Sequence, residues 1–254
     1  MICNRDKNTV FYQFSHLAAF PGVTHGIFTR HGGYSDGKFK GLNLSYDVGD
    51  LKENVRKNRA LVNDVMNIPG MLSVRQVHGN TVRVFSQQDE PDLKEHEADA
   101  MITDAPGYLL LAKGADCQLI LVFDPIKNVA ANIHSGWRGS VQNIVGKTIS
   151  VMKEVYGCRP EDLMCGVGPS LGPCCAEFVN HSEELPPSFK KYEVSSNHFN
   201  FWAISRKQLE GSGVCPDNIA VSGICTRCNT DQFFSYRNEK ITGRFGAVIG
   251  LMAS

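Results

Sequence analysis

Two histidines and one cysteine carry the strongest chemical signal in this chain: His78, Cys117 and His134. Two imidazoles and a thiolate suit a borderline-soft dication such as zinc. Three protein ligands leave a fourth position for water or substrate, which is the catalytic arrangement. A metal held this way lowers the pKa of bound water toward ~7 and supplies a nucleophile at neutral pH. Taken one at a time, the same residues also fit a plainer role, a satisfied strand histidine or a buried cysteine acting as a small hydrophobe. Asp116, beside Cys117, reads as an acceptor behind the ligand, a general base or a turn residue. Arg138 stands at the entrance of a helix, either holding an anion with the free backbone N–H groups or lying on the surface.

The other cysteines read differently. Cys225-Thr226-Arg227-Cys228 is a Cys-x-x-Cys pair without a second such pair or a histidine at finger spacing. A four-ligand zinc ribbon is therefore not expected. A thioredoxin-like reading needs a helix after the motif, and Asn229 to Gln232 reads as a loop. Cys174-Cys175, after Gly172-Pro173, reads as a tight bend in the core.

The elements that position these residues form an alternation of strands and helices. Val10 to Phe14 and Thr24 to Thr29 read as strands. Leu51 to Met66 is an amphipathic helix, with Asp50 as its cap and Pro69-Gly70 beyond its end. Met71 to Val77 and Thr81 to Phe85 read as a hairpin with His78-Gly79-Asn80 at its turn. Ala100 to Thr103, Tyr108 to Ala112, Gln118 to Phe123 and Val129 to Ile133 are short apolar runs that favour buried strands. Val141 to Tyr156 reads as a helix ending at Gly157. Leu163 to Val167 and Ile219 to Val221 are further strands, and Glu183 to Lys191 and Ala203 to Leu209 read as surface helices. The expectation is a mixed α/β protein with a substantial central sheet. His78, Cys117 and His134 all fall at strand ends beside glycine-containing turns, where sheet folds commonly place their sites.

Bulk composition narrows the function classes. Apolar residues make up 42% and charged residues 20% of 254 residues, as in an ordinary globular protein. The 26 basic and 26 acidic residues balance, without a lysine–arginine block, so nucleic acid is not an expected partner. No apolar run is long enough to span a membrane, and Met1 to Phe14 lacks a signal-peptide stretch. A cytoplasmic location is the expectation. The nine cysteines are odd in number, so free thiols or metal ligands are expected rather than a disulfide framework. Without a repeat or linker, residues 1–254 are read as a single domain.

An ordered set of motifs resembles the laccase-domain family, whose bacterial members are called YfiH-like or multicopper polyphenol oxidase-like. The set includes Gln76-Val77-His78-Gly79-Asn80, Ala98-Asp99-Ala100, Ala115-Asp116-Cys117 and His134-Ser135-Gly136-Trp137-Arg138-Gly139. Around these stand Phe28-Thr29-Arg30-His31-Gly32-Gly33, Leu42-Asn43-Leu44-Ser45, Gly49-Asp50 and Asn58-Arg59. Further on come Gly168-Pro169-Ser170-Leu171-Gly172-Pro173-Cys174-Cys175, Phe233-Phe234-Ser235-Tyr236-Arg237 and Thr242-Gly243-Arg244. The resemblance spans nearly the whole chain. It implies a four-layer α/β/β/α fold and a metal site at His78, Cys117 and His134. It also implies activity on purine nucleosides: phosphorolysis of adenosine, inosine, guanosine and methylthioadenosine, plus adenosine deamination. Many bacterial members have a threonine where this chain has Gly114; Lys113-Gly114 resembles the animal members.

The leading expectation is a zinc-dependent purine nucleoside enzyme. Cys117, Asp116 and Arg59 would be its catalytic residues, with Asn43, Gln76, Ser135 and Arg138 contacting substrate. Asp116 or Asp99 would move protons in deamination, and phosphate would sit near Arg59 or the Ser135 to Gly139 turn. A second expectation is a metal-free Cys–His hydrolase with Cys117 as nucleophile and His134 as base; the resembled fold is similar to the cytotoxic necrotizing factor catalytic domain. A third is copper polyphenol oxidation. A multicopper cluster needs about ten histidines in His-x-His pairs, whereas this chain has eight histidines and no such pair. A fourth, a non-catalytic scaffold, predicts a closed four-ligand site or none.

Overall fold

Strand parity divides this chain into layers. In the computed structural model, which describes residues 1–89 and 96–252, two six-stranded mixed sheets lie face to face. The first runs, in spatial order, β1 (Ile2–Asp6), β2 (Thr9–Gln13), β3 (Val23–Phe28), β14 (Phe245–Leu251), β7 (Tyr108–Gly114) and β4 (Gly70–Ser73). The second runs β13 (Ile219–Val221), β10 (Met164–Val167), β8 (Gln118–Asp124), β9 (Val129–Ser135), β6 (Ala100–Thr103) and β5 (Val82–Phe85). Successive side chains on a strand point to opposite faces, so strands buried on both faces read as continuous apolar runs. On β7, Leu110 and Ala112 enter the core between the sheets, while Leu109 and Leu111 pack outward with Val62 and Met66. On β8, Leu119, Leu121 and Phe123 face the first sheet, while Ile120 and Val122 pack outward with Ile144, Val145, Ile149 and Leu209.

Helices close the two outer faces. Helix α1 (Ser15–Ala18) is one turn, and α2 (Lys52–Met66) covers the first sheet. Helices α3 (Trp137–Val141) and α4 (Ile144–Tyr156) follow β9, and α4 covers the second sheet together with α6 (Phe201–Gly211). Short helices α5 (His181–Glu184) and α7 (Tyr236–Glu239) and a two-stranded ribbon, β11 (Glu193–Ser195) with β12 (His198–Phe199), lie outside these layers among the described residues. The four-layer α/β/β/α expectation therefore holds. Asn132 ties the layers together: its Nδ2 donates across the core to the carbonyls of Leu110 and Ala247, both at 2.8 Å.

Four local expectations are corrected. Residues 71–85 do not form a hairpin. β4 pairs in parallel with β7 and β5 in parallel with β6, so the chain between them crosses from one sheet to the other and carries His78 over the rim. Leu51, not Asp50, is the N-cap of α2; the Asp50 carboxylate instead accepts from Ser35 and Asn43, and from the Leu51 N–H. The helix expected over 141–156 is two helices, broken where Asn143 takes a left-handed φ of 54° and caps α4 by accepting from Gly146 N–H. The helix expected over 183–191 is split into α5 and a 3-10 segment, Pro187–Tyr192, because Pro186 and Pro187 cannot continue an α-helical ladder.

Candidate metal centre and its pocket

Antiparallel pairing brings the end of β7 beside the start of β14, and the start of β8 beside the end of β9. All four meet at one rim of the layer between the sheets. Leu119 pairs with His134 in the register of β8 and β9, so Cys117, two residues before Leu119, projects from the same face as His134. His78 arrives from the crossover. The ligand atoms of His78, Cys117 and His134 lie within 4.8 Å of one another. Cys117 Sγ is 3.8 Å from His78 Nε2; a zinc ion at its usual bond lengths spans such a sulfur–nitrogen pair at about 3.6 Å. The triad thus fits a tetrahedral dication with one position left for a ligand from the pocket.

Backbone strain and a missing side chain make this geometry. His78 and Asp116 have positive φ, 60° and 94°, a region that costs a non-glycine residue energy and that tertiary contacts must hold. Gly136 lets the chain pass behind the ligands: a Cβ there would come within 2.8 Å of His78 Cδ2 and 3.1 Å of Cys117 Sγ.

Asp99 organises two of the three ligands. Its Oδ1 lies 2.9 Å from His134 Nδ1 and accepts from His78 N–H at 2.9 Å, and its Oδ2 accepts from Gly79 N–H at 2.7 Å. His134 donating from Nδ1 leaves Nε2 unprotonated for a metal, the usual carboxylate–histidine–metal relay. Burial pushes the Asp99 carboxyl up, but the bonds from His134, Gly79 and His78 outweigh it and hold it below the usual range. Burial likewise opposes charge on Cys117 and His134, but each offsets it for the other. The thiol is drawn down to about 6 by the two imidazoles, and His134 is raised to about 9 by the thiolate and Asp99. Without metal the pair is thiolate and imidazolium; a bound dication takes the place of the imidazolium proton.

The triad opens into a cavity of about 290 Å³ lined by Ser45, Asp47, Gln76, Lys113, Tyr236 and Arg244, among others. That is the small end of the range for ligand pockets. Arg244 is largely buried, which lowers its pKa, and its Nη1 donates to the carbonyls of Thr242 and Gly243. Lys113 Nζ donates to Ser73 Oγ and the Val74 carbonyl beside it. Tyr236 and Arg244 belong to motifs that the sequence offers, Phe233 to Arg237 and Thr242 to Arg244, but residue type alone does not show that they reach the pocket.

Of the remaining sequence candidates, the structure puts Gln76 in the cavity wall and the others around the pocket. Both oxygens of Asp116 are engaged: Oδ1 by the hydroxyls of Thr226 and Ser235, Oδ2 by the N–H of Arg237. It therefore braces the loop that presents Cys117. Asn43 is buried and accepts from the Arg244 N–H at 2.9 Å, which fixes that residue from behind. Gln76 lines the cavity, but its amide is clipped to the Lys113 N–H and carbonyl. Ser135 is buried against Ser140. Arg59 stacks on Tyr46 and donates to the Leu44 carbonyl, and Arg138 stacks on Trp137. Neither arginine lines the cavity.

A second ligand cluster corrects the reading of the cysteines. The tight bend is there, closed by the Cys175 and Ala176 N–H groups on the Gly172 carbonyl, and Cys175 is buried; but Cys174 is exposed, and both cysteines meet Cys225 and Cys228.

A fold of two apposed mixed sheets with a His–Cys–His site at their shared rim defines the laccase-like class. The chain belongs to the multi-copper polyphenol oxidoreductase laccase family, whose model matches residues 24–252. Among its relatives is a protein of Bacteroides thetaiotaomicron named purine nucleoside phosphorylase, 32% identical over 251 residues that cover 92% of each chain. A Deinococcus radiodurans protein of the same name is 35% identical over 90% of this chain and 89% of its own. The crystal structure of YlmD from Geobacillus stearothermophilus superposes with a TM-score of 0.89, at 28% identity and 98% coverage of both chains. The structure of a Bacillus licheniformis protein, YfiH, follows at 0.86, 25% and 97%.

Proposed function

We propose that this chain is a metal-dependent purine nucleoside phosphorylase whose site also deaminates adenosine. The observation that carries the reading is a His–Cys–His set able to hold a metal, opening into a small pocket whose lining includes the cation Arg244. Relatives over nine-tenths of the chain bear the phosphorylase name. When bound, a zinc ion supplies a Lewis acid and a strong local positive charge.

The chain's own residues then have distinct tasks. Two carbonyls hold one nitrogen of the Arg244 guanidinium, Nη1, and a planar guanidinium fork suits two oxygens of phosphate. Tyr236, half-exposed at the mouth, offers an aromatic face to the purine. Asp47 lines the same cavity. In phosphorolysis a phosphate oxygen bonds to C1′ as the C1′–N9 bond breaks, and the purine leaves with the bonding pair and takes up a proton. In deamination water adds at C6 and ammonia leaves. Asp99 and Asp116 have both oxygens engaged, so Asp47 is the carboxylate positioned to carry a proton in either reaction.

A second reading is favoured by one observation, the thiolate–imidazolium character of Cys117 and His134, which a metal-free Cys–His hydrolase would also use. Incubating the purified chain with inosine or adenosine, with and without phosphate, before and after metal removal, separates them. Hypoxanthine or adenine formed only with phosphate and metal, and lost with His78→Ala, supports the phosphorylase. Activity indifferent to metal removal overturns it and favours the hydrolase.

A further inference from the structure

Outside the pocket, Cys174, Cys175, Cys225 and Cys228 converge from two segments far apart in sequence, and their four sulfurs lie within 4.8 Å of one another. Cys228 Sγ is 3.6 Å from Cys175 Sγ and 3.7 Å from Cys174 Sγ. At the usual zinc–sulfur bond length, the sulfurs of a tetrahedral four-thiolate site stand about 3.8 Å apart. Neutral thiols are weak hydrogen-bond partners and gain little from gathering four together. Thiolates sharing a dication gain a great deal.

The backbone around the sulfurs is built for such a group. Gly172 N–H donates to Cys225 Sγ at 3.3 Å. Asn229 Nδ2 donates to the Cys225 carbonyl at 2.8 Å, closing the Cys-x-x-Cys turn. A β-bridge between Ser170 and Cys225 brings the two segments side by side, with Ser170 N–H on the Ile224 carbonyl and Thr226 N–H on the Ser170 carbonyl. A Cβ on Gly172 would press on Cys225 Cβ at 3.0 Å and on the Trp202 ring at 2.8 Å, so the close approach requires glycine.

We propose that these four cysteines form a second, structural metal site that binds a thiophilic tetrahedral dication, zinc above all. Four protein ligands close the coordination shell, so this site holds structure and does no chemistry. Binding releases the thiol protons, so retention weakens as pH falls. What it holds is the wall behind the first site. Thr226, between two of the cysteines, donates to Asp116 Oδ1 at 2.6 Å, and Leu171 N–H donates to the Asp116 carbonyl at 2.8 Å. Arg237, whose N–H also holds Asp116, reaches the Cys175 carbonyl with its guanidinium at 3.3 Å. The second metal thus staples the two strips of chain that keep Asp116, and with it Cys117, in place.

The test is metal and thiol content of the chain purified under reducing conditions with zinc in the medium, read by native mass spectrometry. Wild type is expected to retain two zinc ions per chain, one for each ligand cluster. Cys174→Ser and Cys228→Ser should each lose one and keep the other, with a lower Tm. His78→Ala should lose the other and leave the cysteine site loaded, so failure of the pocket site and failure of this one are read separately. Cobalt exchange into His78→Ala, in which all four cysteines are kept, guards against a cysteine variant that does not fold: its sulfur-to-cobalt absorption should match a four-thiolate site. A single zinc lost with His78→Ala, or a mass showing two hydrogens missing through a disulfide among these cysteines, overturns the proposal.

Discussion

Asp99 and His134 are joined by a 2.9 Å bond from the imidazole Nδ1 to the carboxylate, at a point where neither is open to solvent. The same carboxylate carries the backbone N–H groups of His78 and Gly79, so one side chain sets the tautomer of one ligand and the backbone position of another. Replacing Asp99 with Asn removes the charge and turns one acceptor into a donor that opposes those N–H groups. Metal affinity and nucleoside turnover are expected to fall about 10- to 100-fold, with the fold retained. Titration with a competing chelator and circular dichroism on the same sample check this.

Gly136 is expected to tolerate no side chain. The Cβ of Gly136→Ala would meet both His78 and Cys117 at less than ordinary contact distance. Its φ of −72° is accessible to alanine, so the effect acts through the ligands rather than through backbone strain. Metal retention should weaken by about tenfold or more, while the thermal transition of the metal-free protein shifts little. Unchanged metal affinity would show that the ligands do not approach so closely in solution.

Cys117 in the metal-free protein should react as a thiolate near neutral pH. Its pKa is drawn to about 6 by His134 and His78 against the opposing effect of burial, so alkylation should rise with pH through a midpoint at about 6 and level off roughly one pH unit above it. An ordinary thiol would still be climbing at pH 8. Zinc should suppress the reaction, and His78→Ala should move the midpoint upward. Mass spectrometry of iodoacetamide-treated protein across pH reads all three.

His25 should make the fold acid-sensitive. It is fully buried, its Nε2 accepts the Phe14 N–H at 2.8 Å, and Nδ1 has no partner among the described residues. Burial, with the neighbouring His16 adding a smaller effect, lowers its pKa to about 4. Between the ordinary value of 6.5 and 4 the unfolded chain binds a proton that the folded chain does not, so stability rises with pH through that window. From pH 7 to pH 4 the loss attributable to this group is about 3 kcal/mol. Urea unfolding of wild type and His25→Gln at both pH values checks it: the variant should lose less on acidification.

Much of this protein can be read from local pattern. The ligand types at His78, Cys117 and His134, the α2 periodicity, the stop of α4 at Gly157 and the buried runs that became β6 to β9 all follow from residue identity over a few positions. Hydrophobic period and turn chemistry act over that range. Long-range pairing does not. The stretch around His78 has hairpin composition, yet its two strands join different sheets, because β4 and β5 each find a better partner elsewhere. The four cysteines could not be seen as one cluster, because a bridge between Ser170 and Cys225 is what unites them.

The sequence by itself therefore determined which side chains are able to bind a metal and which segments must be strand or helix. Tertiary structure alone decided which donors are still open. Asp116, Asp99 and Gln76 are chemically capable of acting on a substrate, but hydrogen bonds to distant backbone and side chains occupy them. Arg244 and Tyr236 line the pocket because β14 and α7 fold back onto the rim. A side chain's type is local, but whether its polar atoms face a ligand or a neighbour depends on contacts made across the whole chain.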